Sequence, residues 1–261
     1  ALDVRLRLAV QAQQARNFHQ KIGGYQPTPL YALKSLAALF GVSTILVKDE
    51  SQRFGLNAFK MLGGAYAIAQ LLCEKYHLDI NAFSFATFKS SIKEKMTFAT
   101  TTDGNHGRGV AWMARQLKQN AVVYMPKGSS QQRLTSIRNE GATAEIVDMN
   151  YDDAVRMTAE QAEKYGWIVV QDTAWEGYEK IPQWIMQGYG TLMLEAIDQL
   201  HQVAPTHIFV QAGVGSFAGM VQGMVTAAWG ENRPKVIVAE ALIADCLYRS
   251  ARSKEGDAIA V

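Results

Sequence analysis

The sequence predicts an α/β fold of two open parallel-sheet domains with helices on both faces. Three observations lead there. Short β-rich runs alternate with helical segments along almost the whole chain. Strands separated by helices of this length pair in parallel, through right-handed crossovers. Of the 261 residues, 48% are apolar and 19% charged, enough to bury a proper core.

In chain order, residues 45–47 read as a strand. Residues 61–76 form a helix, with Leu62, Ala65, Ala69 and Leu72 on one face. Strands at 96–101, 121–125, 144–148, 168–171, 207–211 and 235–239 then alternate with helices at 106–117, 131–139, 151–165, 182–200 and 217–229. Gly141 and Gly166 stop two of those helices. Residues 78–95 are the least patterned and are expected to form a surface excursion. After 235–239 the chain offers one weak helical pattern in 241–261, and it is expected to end before its domain is complete. No internal repeat or low-complexity linker interrupts it. The domain boundaries expected are 1–65 with 172–261 for a large domain, and 66–171 for a small one.

Several functional classes drop out. The net charge is +2 and the basic residues are scattered, which leaves no footprint for nucleic acid or a membrane surface. No apolar run is long enough to cross a bilayer, and residues 1–22 lack a signal peptide's apolar block. Cys73 and Cys246 are too few for a disulfide scaffold, so reduced thiols and a cytoplasmic location are expected. Neither has a Cys or His at metal-ligand spacing, and no metal is expected.

Three segments at strand ends carry chemistry. The first is 49–60, DESQRFGLNAFK, which follows a strand and ends on Lys60 at a helix start. The helix dipole and burial against Phe54 and Phe59 are expected to depress the Lys60 amine, as a carbonyl-attacking lysine requires. A surface lysine in a first turn is the plain alternative. The second is 100–109, TTTDGNHGRG, where hydroxyls, a carboxylate and a carboxamide precede exposed helix amides suited to a carboxylate. An ordinary turn capped by Asp103 reads equally well. The third is 211–219, QAGVGSFAG, a glycine loop opening a helix, which suits a phosphate. It also resembles a dinucleotide loop, with Glu240 where a ribose-binding acid would stand, although the third glycine falls one position late. A nicotinamide-dependent dehydrogenase is therefore a competing reading at this point.

Together, in this order, the segments resemble the tryptophan-synthase-like group of pyridoxal-5′-phosphate enzymes, fold type II. Within it the chain is similar to the diaminopropionate ammonia-lyase family. The stretches that carry this are RFGLNAFKMLGGAYA (53–67), TTTDGNHGRGVAW (100–112), VVQDTAWEGYEKIPQWIMQGY (169–189) and QAGVGSFAG (211–219). The resemblance spans about 18–250, and Asp103 stands where other members of the group carry serine.

The resemblance implies a pyridoxal phosphate cofactor held as a Schiff base on Lys60, packed by Phe59. Asn105 would face the phenolic oxygen, and Gly213, Val214, Gly215, Ser216 and Gly219 would line the phosphate cup. Thr102, Asp103, Gly104 and His106 would meet the substrate, with His106 bracing the loop. Asp103 and Asp172 would be two bases on opposite faces of the substrate Cα, each serving one enantiomer. The implied reaction is α,β-elimination of D- or L-2,3-diaminopropionate to pyruvate and ammonia, in a homodimer acting on a small amino acid. Serine/threonine dehydratase of the same fold is the nearest alternative, and a non-catalytic fragment another. The family also carries a segment beyond the position matching Asp257, which completes the large domain and supplies the hydroxyl facing the pyridine nitrogen.

Overall fold

A computed structural model of the chain describes residues 2–253. The described elements are α1 (Leu2–Gln20), β1 (Leu30–Ala32), α2 (Lys34–Phe40), β2 (Leu46–Lys48), a 3-10 segment (Glu50–Gly55), α3 (Lys60–Tyr76), a 3-10 turn (Ile80–Ala82), α4 (Phe85–Ser91), β3 (Thr97–Thr101) and α5 (Asn105–Gln116). They continue with β4 (Asn120–Met125), α6 (Gln131–Asn139), β5 (Thr143–Ile146), α7 (Tyr151–Tyr165), β6 (Ile168–Val169), α8 (Lys180–Gln199), β7 (His207–Gln211), α9 (Ser216–Trp229), β8 (Lys235–Ala239) and α10 (Cys246–Arg252).

Strands β5-β4-β3-β6 form one parallel sheet, and β7-β8 form a second parallel pair. Parallel pairing was expected and holds from β3 onward. It fails for the first strand. Residues 46–48 pair antiparallel with β1, because the Leu33 amide donates to the Ile45 carbonyl and closes the intervening loop at its base. The part of the weak pattern in 241–261 that lies past Ser253 falls outside the described residues.

Residues 78–95 also depart from expectation. They form the Ile80–Ala82 turn and α4, and they bury Ile80, Phe83 and Phe88. Phe83 packs edge-on against Phe18, Phe85 and Phe88, with centroids 4.5, 5.1 and 4.7 Å apart. The aromatics occur at mixed spacings, so no helical or strand period emerges, yet they fill the groove between α1 and α3. One local signal was present: Ser84 caps α4 by accepting the Thr87 amide.

Helix α3, which begins at Lys60, is the central element. Leu62, Ala65, Ala69 and Leu72 are buried as expected, but so are Met61, Gly63, Gly64, Tyr66, Ala67 and Ile68. A helix apolar on every side is enclosed by neighbours. Glycines set how closely they approach. A Cβ on Gly188 of α8 would lie 2.4 Å from the Leu62 carbonyl oxygen and 2.8 Å from Gly63 Cα. A Cβ on Gly109 of α5 would lie 2.6 Å from Met61 Cα. Gly188→Ala is therefore expected to destabilise the protein despite alanine's better helix propensity. Propensity would return at most about 1 kcal/mol. Overpacking against backbone, which no rotamer relieves, costs about 1–3 kcal/mol. A lowered urea midpoint at unchanged slope checks this.

His19 joins α1 to the same centre. Its Nε2 bonds to the Leu62 carbonyl (3.0 Å) and its Nδ1 to Thr191 Oγ1 (2.7 Å). The carbonyl can only accept, so Nε2 carries the hydrogen and the ring is neutral. Burial drives its pKa from 6.5 down to about 3. The unfolded chain then binds more protons than the native one between those values. Stability contributed by this site is present above pH 6.5 and falls progressively toward pH 3. Denaturant midpoints taken across that window should decline, and a flat profile contradicts the assignment.

Candidate active site

Lys60 sits at the first position of α3, reached through a chain segment that is rigidly fastened. Within it Phe54 adopts φ 49°, a left-handed conformation costly for an aromatic residue. What enforces it is the neighbouring Arg53, whose guanidinium is buried. Arg53 donates to Glu50 (2.7 and 2.8 Å), to both oxygens of Glu195 on α8 (2.8 and 2.7 Å) and to Thr28 Oγ1 (3.1 Å). Lys48 adds a 2.8 Å contact to Glu195. This network stands under the lysine segment and was not anticipated. A lone acid inside the apolar run of α8 was the available clue.

Lys60 Nζ donates to Asp172 Oδ2 at 2.6 Å. Asp172 follows β6, at the carboxyl end of the β5-β4-β3-β6 sheet, so two separate stretches of chain converge as the fold class demands. The expected depression of the Lys60 amine is not found. Burial pushes it down, but the Tyr189 phenol and the Asp172 carboxylate facing it prevail, and its pKa is raised well above the usual lysine range. Helix dipole and apolar walls are outweighed by a direct ion pair. For Asp172, burial pushes the carboxyl up. The Lys60 ammonium in direct contact with it pulls it further down, and it ends below the ordinary carboxylate value.

His106 lies 4.0 Å from Asp172 through Nδ1, while Nε2 donates to the Val170 carbonyl at 2.8 Å. Burial lowers its pKa, and the neutral tautomer leaves Nδ1 as a buried lone pair without a partner.

The strand end beneath Asp172 is held by Gln171, which sequence reasoning passed over. Backbone pairing of β6 with β3 stops at Val169 and Ala99. The Gln171 side chain then continues the ladder: Oε1 accepts the Thr101 amide (2.9 Å) and Nε2 donates to the Thr101 carbonyl (3.0 Å). Thr100 Oγ1 and Tyr151 Oη complete its four bonds, at 3.0 and 2.8 Å. A polar residue ending the apolar run before Asp172 was the signal.

The glycine loop meets the same aspartate. Ser216 opens α9 and its Oγ donates to the Asp172 carbonyl at 2.5 Å. Gly215 needs φ 88°, and no atom lies within 4 Å of the place a Gly213 Cβ would occupy. Phe59 packs on Phe217 (4.4 Å) and edge-on to Tyr189 (5.1 Å), which ties the lysine segment to this loop. Glu240 does not await a ribose: its oxygens accept the Leu247 and Tyr248 amides at 3.0 and 2.8 Å and so cap α10.

Asp103 is not brought into contact with Lys60. Its side chain is 76% exposed and pairs with Arg133 Nη1 at 3.0 Å. Nor does it cap α5, whose N-cap is Gly104 with no side-chain bond. Thr102 Oγ1 accepts the Gly104 amide at 3.0 Å. Asn105, the first residue of α5, is exposed. A cavity of about 460 Å³ lined by Ile22, Phe54, Phe85 and Trp112 does not include Lys60 or Asp172. Among the described residues no group of acids, histidines and cysteines is placed to hold a metal ion, and no helix is long and apolar enough to cross a membrane.

Comparison with known proteins adds three findings. The model of the family described as pyridoxal-phosphate dependent enzyme matches residues 22–261. Diaminopropionate ammonia-lyase of Escherichia coli strain K12 is 65% identical over 242 residues, covering 92% of this chain and 61% of that one. Crystal structures of the Escherichia coli enzyme superpose closely. The D-serine complex does so with a TM-score of 0.92 at 63% identity over 96% of this chain and 64% of that one. The complex with an aminoacrylate-PLP azomethine reaction intermediate gives 0.89 at 62% identity over 97% and 64%. The chain spans about three fifths of the length of the curated relatives it matches.

Proposed function

The chain belongs to the family of pyridoxal-phosphate dependent enzymes, and from that premise we propose that it takes part in the elimination of ammonia from 2,3-diaminopropionate. One diaminopropionate and one water would give pyruvate and two ammonia. The observation that carries this is the Lys60–Asp172 pair at 2.6 Å, set beside a glycine-lined helix start and matched over nearly the whole chain to lyases of that name.

The cofactor is pyridoxal 5′-phosphate, and the residues present fit it. Lys60 supplies the amine. The amides of Gly213, Val214, Gly215 and Ser216 lie at the positive end of α9, where a phosphate is favoured, and Gly219, whose own amide donates to the Gly215 carbonyl at 2.8 Å, would line the cup without adding a donor. The partnerless His106 Nδ1 is a buried polar atom suited to a polar guest. Asn105 would face the ring oxygen, and Phe59 would wall the site. When bound, the cofactor supplies the electron sink for the charge left at the substrate Cα.

The chain's own residues supply position and protons. Lys60 rests as an ammonium and must give up a proton before it can hold a carbonyl carbon. The Asp172 carboxylate is placed to take it. Once it has passed that proton on to solvent, and with the Lys60 charge no longer holding its basicity down, Asp172 is placed to accept the α-proton of the L-substrate. Ser216 and Gln171 fix its backbone from either side. Asp103 would serve the D-isomer from the opposite face, together with Thr102, Gly104 and His106, and must swing in from Arg133 to do so. This reading includes the division into 1–65 with 172–261 and 66–171, which is supported by β3–β6 all falling inside the second part. A homodimer, by fold analogy, and a cytoplasmic location, from the two reduced thiols, complete it.

The test is isomer-resolved turnover. Asp103→Asn should lower D-diaminopropionate turnover by about 10²-fold or more and leave the L-isomer nearly untouched. Equal loss on both removes the division of labour. If serine is consumed faster than diaminopropionate by the parent protein, the dehydratase reading replaces this one.

A further inference from the structure

The hydroxyl of Tyr189 is fully buried, and among the described residues no group meets it with hydrogen-bond geometry, although the Lys60 amine beside it is already held in part by this phenol. Leaving a phenol oxygen so costs stability, and an apolar replacement of the same shape would not incur it. Its surroundings are otherwise closely fitted. The ring stands edge-on to Phe59 and Phe217, with centroids 5.1 and 6.2 Å away. A Cβ on Gly63 would come within 2.5 Å of its Cε1, so α3 carries a glycine there to admit the ring. Phenylalanine would satisfy all of those contacts.

What lies next to the hydroxyl explains its presence. Lys60 Nζ is 5.5 Å from the ring centroid, and the phenol feels the charges of both Lys60 and Asp172. Lys60 is at present held by Asp172. Whenever Asp172 engages another proton, the Lys60 amine loses that partner at a position three-quarters withdrawn from solvent. A neutral amine needs a donor there and an ammonium an acceptor; a hydroxyl is both.

We propose that Tyr189 is a positioning residue: its hydroxyl receives the Lys60 amine when Asp172 releases it. This deepens the function proposed above and rests on it for its purpose, though not for its test. Residues Asp172, His106 and Tyr189 would then form a ring of partners around one mobile side chain, with Lys60 moving between the first and the last.

The test uses the protein without cofactor or substrate, with Lys60 labelling by an amine reagent, trinitrobenzenesulfonate, followed by peptide mapping at a fixed alkaline pH. Asp172→Asn removes the present partner. Adding Tyr189→Phe to it should raise the Lys60 labelling rate by roughly tenfold, because one hydrogen bond to a reactive amine is lost. Tyr189→Phe alone should leave the melting temperature unchanged or higher, as deletion of an unpartnered buried oxygen predicts. Equal labelling in Asp172→Asn and in the double variant overturns the proposal. So does a lowered melting temperature for Tyr189→Phe, which would mean that the hydroxyl serves the fold. Neither readout involves diaminopropionate. A parent protein that fails to consume diaminopropionate sinks the proposed reaction and leaves these measurements to judge Tyr189 separately.

Discussion

Lys60→Ala is expected to reduce turnover by about 10³-fold or more, as removal of a covalent nucleophile does, and to abolish the visible absorbance that accompanies cofactor attachment. The two losses have one cause. Among the described residues at the site, Lys60 brings the amine able to form a Schiff base, and the remaining contacts are hydrogen bonds and packing. The variant should still fold, because Lys60 is a quarter exposed and its position opens a helix, where alanine is well tolerated. Its local cost falls on Asp172, which is buried and loses its ammonium partner, so burial should push that carboxyl up. Absorbance scanning with a steady-state assay of pyruvate checks the prediction. Retained absorbance at undiminished turnover would mean that the cofactor hangs on another residue.

Arg53→Met is expected to be the most destabilising single change in the network beneath the site. The side chains of Arg53 and Glu195 are 1% and 0% exposed. Removing the guanidinium leaves a buried carboxylate whose remaining partners, Lys48, Tyr25 and Thr28, cannot replace the bidentate contact. Breaking such a pair from one side costs about 3–5 kcal/mol. For a chain of this size that is a fall of about 10 °C or more in Tm. Acid behaviour should change with it. In the native protein burial pushes the Glu195 carboxyl up. Arg53 and Lys48 more than compensate, holding it at about 2 against an ordinary 4.5. A depressed carboxyl contributes stability above pH 4.5 that disappears as pH falls toward 2. Arg53→Met should flatten that slope as well as lower the plateau. Thermal melts across the acid range test both parts. An unchanged Tm would show that the buried pair contributes nothing.

Much of this architecture was legible before any coordinates. The 151–165 helix was read to the residue, from its apolar spacing and the glycine that ends it, and β7 and β8 likewise. Helix α1 was legible and passed over: Ala12, Ala15, Phe18 and His19 face the core at three- and four-residue spacing, and Ile22 just past its end joins them. The glycine loop was seen but stayed ambiguous between two cofactors. The resemblance chose between them and the family match bears that choice out, while the carboxylate of Glu240 is taken up in capping α10, a contact between a strand end and a helix start. Asp172 was named from resemblance. That its carboxylate would touch Lys60 across 112 positions could not be read from spacing.

Local pattern set where helices and strands begin, because capping, periodicity and turn chemistry act within a few residues. It also placed an amine, a carboxylate and a glycine loop at strand ends, where parallel sheets gather ligands. Charge state was decided elsewhere. Whether Lys60 rests as an ammonium, whether Asp103 faces inward and why Tyr189 keeps an unpartnered hydroxyl all depend on side chains remote in sequence. Electrostatic energy falls with distance in space and takes no account of distance along the chain. Only the packed arrangement could bring those groups within reach of one another.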